Sequence, residues 1–433
     1  MKKFFFLLLT VLVFSLNLFA QLQPVISPSV EKIVAPVGPP AATSQEIPAP
    51  SSPLLPVATP PTILLVAPSP VPTPEWAPKT FWSGDFRYRI AKAKEDVDEE
   101  RTFQQLRARL GLKSDVNQDA KMTLRLATGT SATSTNQTLG DAKDPGMPRR
   151  NFGLDQAFLD WSFAKGSSFI AGRAPSPFWS ANKSQLVLDS DLNLEGLSVT
   201  SEFSLPESKI FYSLGVFMIS ENYDTAGKTD LVDTGLWGAQ LGYALKNEFG
   251  ELKFSIAHFD YVNIRGKNIV TLDKDAKTDV YSIPYNRYKG NFVTRPDLAI
   301  ADYFFQDKFV LTEFGLEYKR QWNSFEVLLF LESVENAAVD ELNNGHEYGI
   351  AIRHQRIQVI YSLVEKEAES VVGAFTDSDS NGGGTDNRGT RINLNYKLSE
   401  NSRVDWTIFN AERGMDSVDR KFSATQLDFL VSF

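Results

Sequence analysis

Apolar and polar residues alternate in one segment after another from Phe81 to the end of the chain. A period of two is typical of a β-strand with one face in an apolar medium and the other in a polar one. Most segments are close in length to a tilted strand that crosses a bilayer, which has about 9 to 11 residues. The sequence predicts sixteen such strands, at 81–90, 102–113, 120–129, 154–163, 167–174, 195–204, 208–218, 235–245, 251–261, 309–319, 324–333, 346–354, 357–366, 388–398, 403–411 and 422–433.

The gaps between these strands alternate in length. Tight turns such as 205–207 and 355–356 are followed by longer polar gaps rich in Gly, Asp and Asn. An even strand number with short turns at one end and long loops at the other indicates an all-β fold, a transmembrane antiparallel β-barrel with both termini in the periplasm. The gap 262–308 is long enough to hide two further strands, so eighteen strands is the alternative to sixteen. A soluble all-β protein also shows alternating strands, and alternation alone does not tell which face points outward.

The N-terminus has the pattern of an exported protein. A basic start at Lys2 and Lys3 precedes an apolar run at 4–19 and a small residue, Ala20, which indicates a signal peptide at residues 1–20. The alternative is an uncleaved anchor, but the run falls short of the about 20 apolar residues that span a bilayer. No later segment reaches that length either. An exported chain of this kind can enter a membrane only as a barrel.

Most of the 23 prolines lie in residues 21–80. Proline provides no backbone donor and breaks both helix and sheet, so this segment is expected to be a disordered, extended tether in the periplasm. Contact with the cell-wall layer is one interpretation of this segment, and an inert leader is the other. The barrel domain is then expected at residues 81–433.

The last strand ends on its own final aromatic residue. Its apolar face consists of Leu427, Phe429, Val431 and Phe433, which alternate with polar residues. This ending resembles the C-terminal signal by which outer-membrane barrels are recognised for assembly. The resemblance implies the barrel-assembly machinery as a partner and the outer membrane of a Gram-negative-type bacterium, with its lipid, as the location.

Several function classes find little support. The chain has no Cys, a formal net charge of −9 and no basic run, which argues against a thiol enzyme and against nucleic-acid binding. His258, His346 and His354 are scattered without ligand spacing, so neither a metal nor another cofactor is predicted, and a Ser–His hydrolase is the remaining enzymatic alternative. Residues 377–382 match the first half of a calcium loop, but Arg388 stands where a bidentate Glu is required.

The polar faces of the strands suggest a lumen with opposed charges. We name as the basic wall the inward positions of the first three and the fourteenth and fifteenth strands: Arg87, Arg89, Arg107, Arg109, Arg125, Arg391, Lys397 and Arg403. We name as the acidic wall Glu313, Glu317, Glu326 and Glu332 of the tenth and eleventh strands. The long gap 175–194 is a candidate constriction loop that brings Asp189 and Asp191, with Glu195 on the next strand, toward the arginines. Opposed charges of this kind select ions in a channel, whereas lumen charges that are merely hydrated are the alternative.

Several ordered motifs over about residues 81–200 carry a family resemblance. They are GDFRYR at 84–89, RARLGL at 107–112, LATG at 126–129, STNQTLG at 134–140, LDQAFLDW at 154–161 and DSDLNLEG at 189–196. Together they resemble the bacterial putative porin family of outer-membrane proteins. The resemblance implies a 16-stranded barrel, a homotrimer and passive diffusion of small hydrophilic solutes. A structural or adhesive outer-membrane barrel with a closed lumen is the alternative function.

Overall fold

A computed structural model describes residues 79–96, 99–129, 131–141, 145–221, 232–267, 287–294, 304–415 and 419–433. The predicted signal peptide and nearly all of the proline-rich tether lie outside these residues. The described residues form sixteen long strands: β1 (Thr80–Glu95), β2 (Arg101–Asp115), β3 (Ala120–Thr128), β4 (Phe152–Ala164), β5 (Ser167–Pro175), β6 (Asn193–Ser204), β7 (Ser208–Ser220), β8 (Thr234–Asn247), β9 (Gly250–Val262), β10 (Val310–Trp322), β11 (Phe325–Asn336), β12 (Asn344–His354), β13 (Ile357–Lys366), β14 (Asn387–Lys397), β15 (Ser402–Arg413) and β16 (Arg420–Ser432).

The sixteen strands close into an antiparallel barrel. Each strand pairs with the next along the chain, and β16 pairs with β1, where Tyr88 lies opposite Phe429. The predicted strand number of sixteen is therefore confirmed. The described parts of the gap between β9 and β10 do not add barrel strands; they form a separate small sheet of Arg287–Tyr288, Asn291–Thr294 and Phe304–Phe305.

The two ends of the barrel differ. One end, here called the turn end, carries both described termini and tight connections such as 165–166 and 323–324. The opposite end, the loop end, carries the long connections, including 176–192 and 367–386. Two single turns of 3-10 helix, Ala181–Lys183 and Ser380–Gly382, lie in these two connections. No α-helix in the described residues is long and apolar enough to cross a membrane.

Alternation decides which side chains point outward. Leu241 and Ile256, both more than half exposed, belong to a band of outward apolar side chains that continues through Leu394 and Phe429 around the ring. Exposing such a continuous apolar surface to water would cost free energy, whereas contact with the apolar core of a bilayer is favourable. The charged faces of the strands therefore point into the lumen.

The described core lies inside the barrel, near the loop end. Phe259, Leu311 and Val334 of the strands pack there against Val371 and Val372, and all five are almost completely buried. The loop-end half of the lumen is thus partly filled by protein. This filling brings the loops into contact with the charged walls.

Candidate functional site

Three segments fold inward from the loop end, and we call them the inner segments: residues 131–136, 176–192 and 367–386. The segment 176–192 follows β5 and crosses to the opposite wall. Its Trp179 is held on β8 by two bonds, because the Trp179 N–H donates to Gln240 Oε1 at 2.8 Å and Gln240 Nε2 donates to Trp179 O at 2.7 Å. Phe178 packs edge-on against Phe259, with ring centroids 4.9 Å apart.

The acidic wall binds the next residues of this segment. Glu332 Oε2 accepts the Ala181 N–H at 2.6 Å, and Glu317 Oε1 accepts the Asn182 N–H at 2.5 Å. Asn182 and Lys183 both have positive φ angles, 49° and 56°, which non-glycine residues adopt only at a cost. The carboxylates of β10 and β11 therefore hold a turn that the local backbone does not favour.

The segment 367–386 lies against the segment 176–192. Asp189 joins them twice: its N–H donates to Phe375 O at 2.8 Å and its Oδ2 accepts the Ser378 N–H at 3.1 Å. Thr376 Oγ1 donates to Leu186 O at 2.9 Å in a buried position. Because Leu186, Val371 and Val372 belong to the same apolar cluster, the two segments share one dry contact.

The segment 131–136 completes the assembly. It precedes Gln137–Thr138, a two-residue strand that pairs with β2 beyond the end of β3 at Thr128. Thr135 donates from its N–H and its Oγ1 to Asp191 Oδ2, at 3.2 and 3.0 Å. Ser378 Oγ donates to Thr133 O at 3.0 Å. All three inner segments therefore meet around the predicted constriction residues.

The aspartates where these loops meet differ in their electrostatics. Burial raises the pKa of Asp189 to about 8, and the charge of Asp377 nearby adds to this effect. Burial likewise raises the pKa of Asp377, with the charge of Asp379 as a second cause. Burial alone would also raise the pKa of Asp379, but the adjacent Arg89 lowers it. Near neutral pH the contact thus favours a protonated Asp189 beside an ionised Asp379.

The predicted basic wall lies on the inner face, but most of its arginines are paired with acids. Arg89 binds Asp428 at 2.7 Å and Asp379 at 2.6 Å. Arg107 and Arg109 share Asp85, at 2.8 and 2.6 Å. The remaining pairs are Arg109 with Asp191 at 3.2 Å, Arg125 with Asp155 at 2.5 Å, Arg391 with Glu347 at 2.7 Å and Arg403 with Asp405 at 3.0 Å.

Two members of the basic wall lack such a partner. Arg87 donates through Nη2 to Asn136 Oδ1 of an inner segment, and no described carboxylate lies within ion-pair distance of it. Lys397 is exposed near the turn end, opposite Arg403 on the neighbouring strand. The basic wall therefore consists mainly of neutralised pairs, with a few uncompensated cations.

The acidic wall does not face an open lumen as a row of free carboxylates. Glu332 is fully buried and Glu313 is 5% exposed, both on the wall that the segment 176–192 covers. Glu326 lies near the turn end and pairs with Arg353 at 3.3 Å. The expected transverse field between two bare walls of opposite charge is thus replaced by contacts within the protein.

The placement of Glu195 corrects the sequence prediction. Glu195 shares the strand face of Leu197, whose side chain is 42% exposed on the outside, and it pairs with Arg173 of β5. The predicted lumen position is wrong because residues two apart in a strand share a face, so Glu195 points outward with Leu197. Asp191, by contrast, reaches Arg109 as expected.

Several charged lumen residues were not predicted as a site. They are Asp155, Lys253, Glu347, Asp379, Asp405 and Asp428. Asp405 and Asp428 follow the same alternation as the arginines, so the strand pattern could have found them. Asp379 lies in a loop without periodicity, and only the fold brings it to Arg89.

The C-terminal strand has the predicted orientation. Leu427, Phe429, Val431 and Phe433 share the outer face, and Phe433 is 67% exposed. The Phe433 N–H donates to Gly84 O and Phe433 O accepts the Gly84 N–H, both at 3.0 Å, which extends the closing ladder to the last residue. The role of this strand as an assembly signal stays a prediction.

Enzymatic and metal chemistry gain no support from the arrangement. Among the described residues no three His, Asp or Glu side chains are grouped to hold a metal. On the outer face Ser333 Oγ lies 3.0 Å from His346 Nδ1, a pair that the scattered histidines of the sequence do not indicate. A hydrolase also needs donors for an oxyanion, but the backbone amides here lie within the paired strands β11 and β12.

The sequence pattern of one protein family, described as "Putative porin", matches residues 90–341 and 331–433. No curated protein matches the chain. Similar solved structures include a mutant of the Rhodopseudomonas blastica porin, with 9% identity, a TM-score of 0.44 and coverage of 82% of this chain and 100% of that chain. The Salmonella typhi OmpF complex with daunomycin has 11% identity, a TM-score of 0.46 and coverage of 82% and 97%. A loop-deletion mutant of OmpT from Vibrio cholerae has 10% identity, a TM-score of 0.45 and coverage of 82% and 99%. Because the family pattern spans most of its length, the chain belongs to the putative porin family.

Proposed function

We propose that this protein is an outer-membrane porin through which small hydrophilic solutes and ions diffuse passively. The observation that carries the proposal is the reversal of polarity across the barrel wall, with an apolar band outside and charged side chains such as Arg109 and Lys397 inside. Charged side chains inside a closed barrel need water or partners, and a barrel of this width has room for water. Catalysis and a bound cofactor have no part in this function.

The loops at one end and the short turns at the other support the orientation. In outer-membrane barrels the long loops face outward and the turns face the periplasm. Both termini, the assembly signal and the proline-rich tether would then be periplasmic, where the assembly machinery and the cell-wall layer are accessible. A homotrimer, implied by the family resemblance, is part of the same proposal.

One observation favours a second function. The inner segments bury a dry apolar cluster in the loop-end half of the lumen, around Val371 and Leu311. A structural or adhesive barrel with a closed lumen would have such a filling. A narrowed channel would have it as well, because the inner segments cover part of the acidic wall while Lys397 and Arg403 of the opposite wall stay exposed.

Conductance of the purified full-length protein in a planar lipid bilayer separates the two functions. A porin gives discrete steps of current whose size rises with salt concentration. A closed barrel that inserts into the same bilayer gives no steps. Insertion is confirmed in parallel by the shift in electrophoretic mobility that folded barrels show on heating.

A further inference from the structure

The lumen charges of the two walls are not equally accessible. On the acidic wall, Glu332 accepts from Ala181, and Glu317 accepts from Asn182. On the neighbouring strand Glu347, which is 3% exposed, accepts from Ser184 Oγ at 2.7 Å and from Arg391 at 2.7 Å. Glu332 and Glu347 are thus shielded from a passing ion by burial, and half-buried Glu317 uses one of its two oxygens within the protein.

Some cations on the inner face keep their charge uncompensated. Arg87 has only an amide oxygen as a partner, and its Nε is buried without a hydrogen bond. The two acids that act on it electrostatically, Asp379 and Asp428, are both bound to Arg89. The guanidinium of Arg87 therefore retains donor capacity and a net positive charge.

Lys253 is the second such cation, and it lies on β9, half the ring away from β1. Its Nζ lies 4.4 Å from the ring centre of Trp179 and 4.6 Å from that of Phe211. Aromatic rings stabilise an ammonium group without cancelling its charge. No ion pair joins Lys253 to a carboxylate in the described part of the chain, although Glu202 and Glu317 act on it from a distance.

Two more lysines extend this pattern toward the turn end. Lys113 and Lys397 are exposed and have no ion pair to a described carboxylate, whereas Lys121 lies opposite Asp160 across the β3–β4 pair. Among the acids that face the same region, Glu251 and Asp405 are each bound to a basic residue, and Asp160 has one of its carboxylate oxygens buried. The accessible charge of the described lumen is thus mainly positive.

We propose that the channel prefers small anions, such as inorganic ions and short carboxylates, and that Arg87 and Lys253 set this preference. This inference rests on the proposed function as a porin. Two uncompensated cations on opposite sides of a narrow lumen raise the local concentration of anions and lower that of cations. The paired arginines contribute less because each one's positive charge is offset by the carboxylate bound to it.

The experiment measures the reversal potential of the full-length protein in a planar bilayer between two KCl concentrations. The current through the wild-type channel is expected to reverse at a potential closer to the equilibrium potential of chloride than to that of potassium. R87Q, which keeps a polar side chain beside Asn136, and K253M, which keeps the packing on the two rings, are each expected to lower the chloride-to-potassium permeability ratio about twofold or more.

Two matched variants serve as controls. R388Q removes a charge of the outer face that is bound to Glu412, and E332Q removes a covered carboxylate. Both are expected to leave the reversal potential unchanged. A shift toward chloride in E332Q would show that the acidic wall is accessible and would overturn the charge assignment.

The possible failures are distinguishable. Discrete steps with no chloride preference would overturn the inference and leave the channel function intact. A chloride preference that survives in both R87Q and K253M would overturn the assignment of these residues. Absence of steps from correctly folded protein would overturn the proposed function and the inference with it.

Discussion

Removal of the Glu317 carboxylate tests whether the acidic wall holds the segment 176–192 in place. In Glu317→Ala the Asn182 N–H loses its acceptor, and a hydrogen bond to a charged group contributes about 1.5–3 kcal/mol. Asn182 and Lys183 have unfavourable positive φ angles, so the backbone of the freed turn does not itself favour the docked conformation. A free energy of about 1.4 kcal/mol changes an equilibrium constant tenfold. The population in which the segment 176–192 is detached from the wall should therefore rise by about 10- to 150-fold. The partial exposure of Glu317 weakens its bond and makes the upper end of this range an overestimate.

The rate of cleavage by trypsin after Lys183 measures this opening directly. Lys183 is the only Lys or Arg between Arg173 and Lys209, so cleavage after it gives a fragment that mass spectrometry assigns without ambiguity. When reclosing is faster than cleavage, the cleavage rate follows the open population. Glu326→Ala is the matched control, because Glu326 lies on the same wall but contacts Arg353 instead of the segment. Equal rates for wild type and Glu317→Ala would refute the anchoring role.

The C-terminus, the proline-rich tether and Asp189 can each be tested in the same way. Deletion of Phe433 removes the final ladder bonds to Gly84, so the amount of heat-modifiable barrel in the outer membrane should fall sharply while export continues. Deletion of residues 24–78 behind the same signal peptide should leave assembly and conductance intact, and loss of insertion would show that the segment belongs to the fold. The pKa of Asp189 is raised to about 8 by docking of the two inner segments, against about 4 in water. Between pH 4 and pH 8, about the two pKa values, Asp189 is protonated in the docked state and ionised in the undocked state. The free energy of docking should therefore become less favourable as pH rises through this range and stay constant above it. Hydrogen exchange of residues 375–379 should accelerate accordingly between pH 6 and pH 8, after correction for intrinsic rates, and D189N should remove this dependence.

The barrel itself was predictable because strand alternation is a local property. The period of two identified all sixteen strands and placed Arg87, Arg109 and Glu332 on the inner face, since one face had to meet an apolar medium. The strand bounds differ from the prediction by a few residues. The one error, at Glu195, does not come from these bounds: Glu195 is two residues from the outward Leu197, and alternation places both side chains on the outer face.

The pairing of the charges was not predictable to the same extent. Arg107 and Arg109 share Asp85 because of the register between β1 and β2, which a sequence read strand by strand does not fix. The inner segments 131–136 and 367–386 have no periodicity, so nothing local indicated that they would fold into the lumen. Their contacts with Asp189 and Asp191 depend on the closed ring that brings distant loops together.

The central claim, that solutes pass through the lumen, is tested most directly with single cysteines in this naturally cysteine-free chain. Asn393 faces inward on β14, and its neighbour Leu394 faces outward. In planar bilayers, a bulky thiol reagent should reduce the current steps of N393C and leave those of L394C unchanged. Current that is unaffected by labelling of N393C, or equally reduced in both variants, would contradict a path through the barrel.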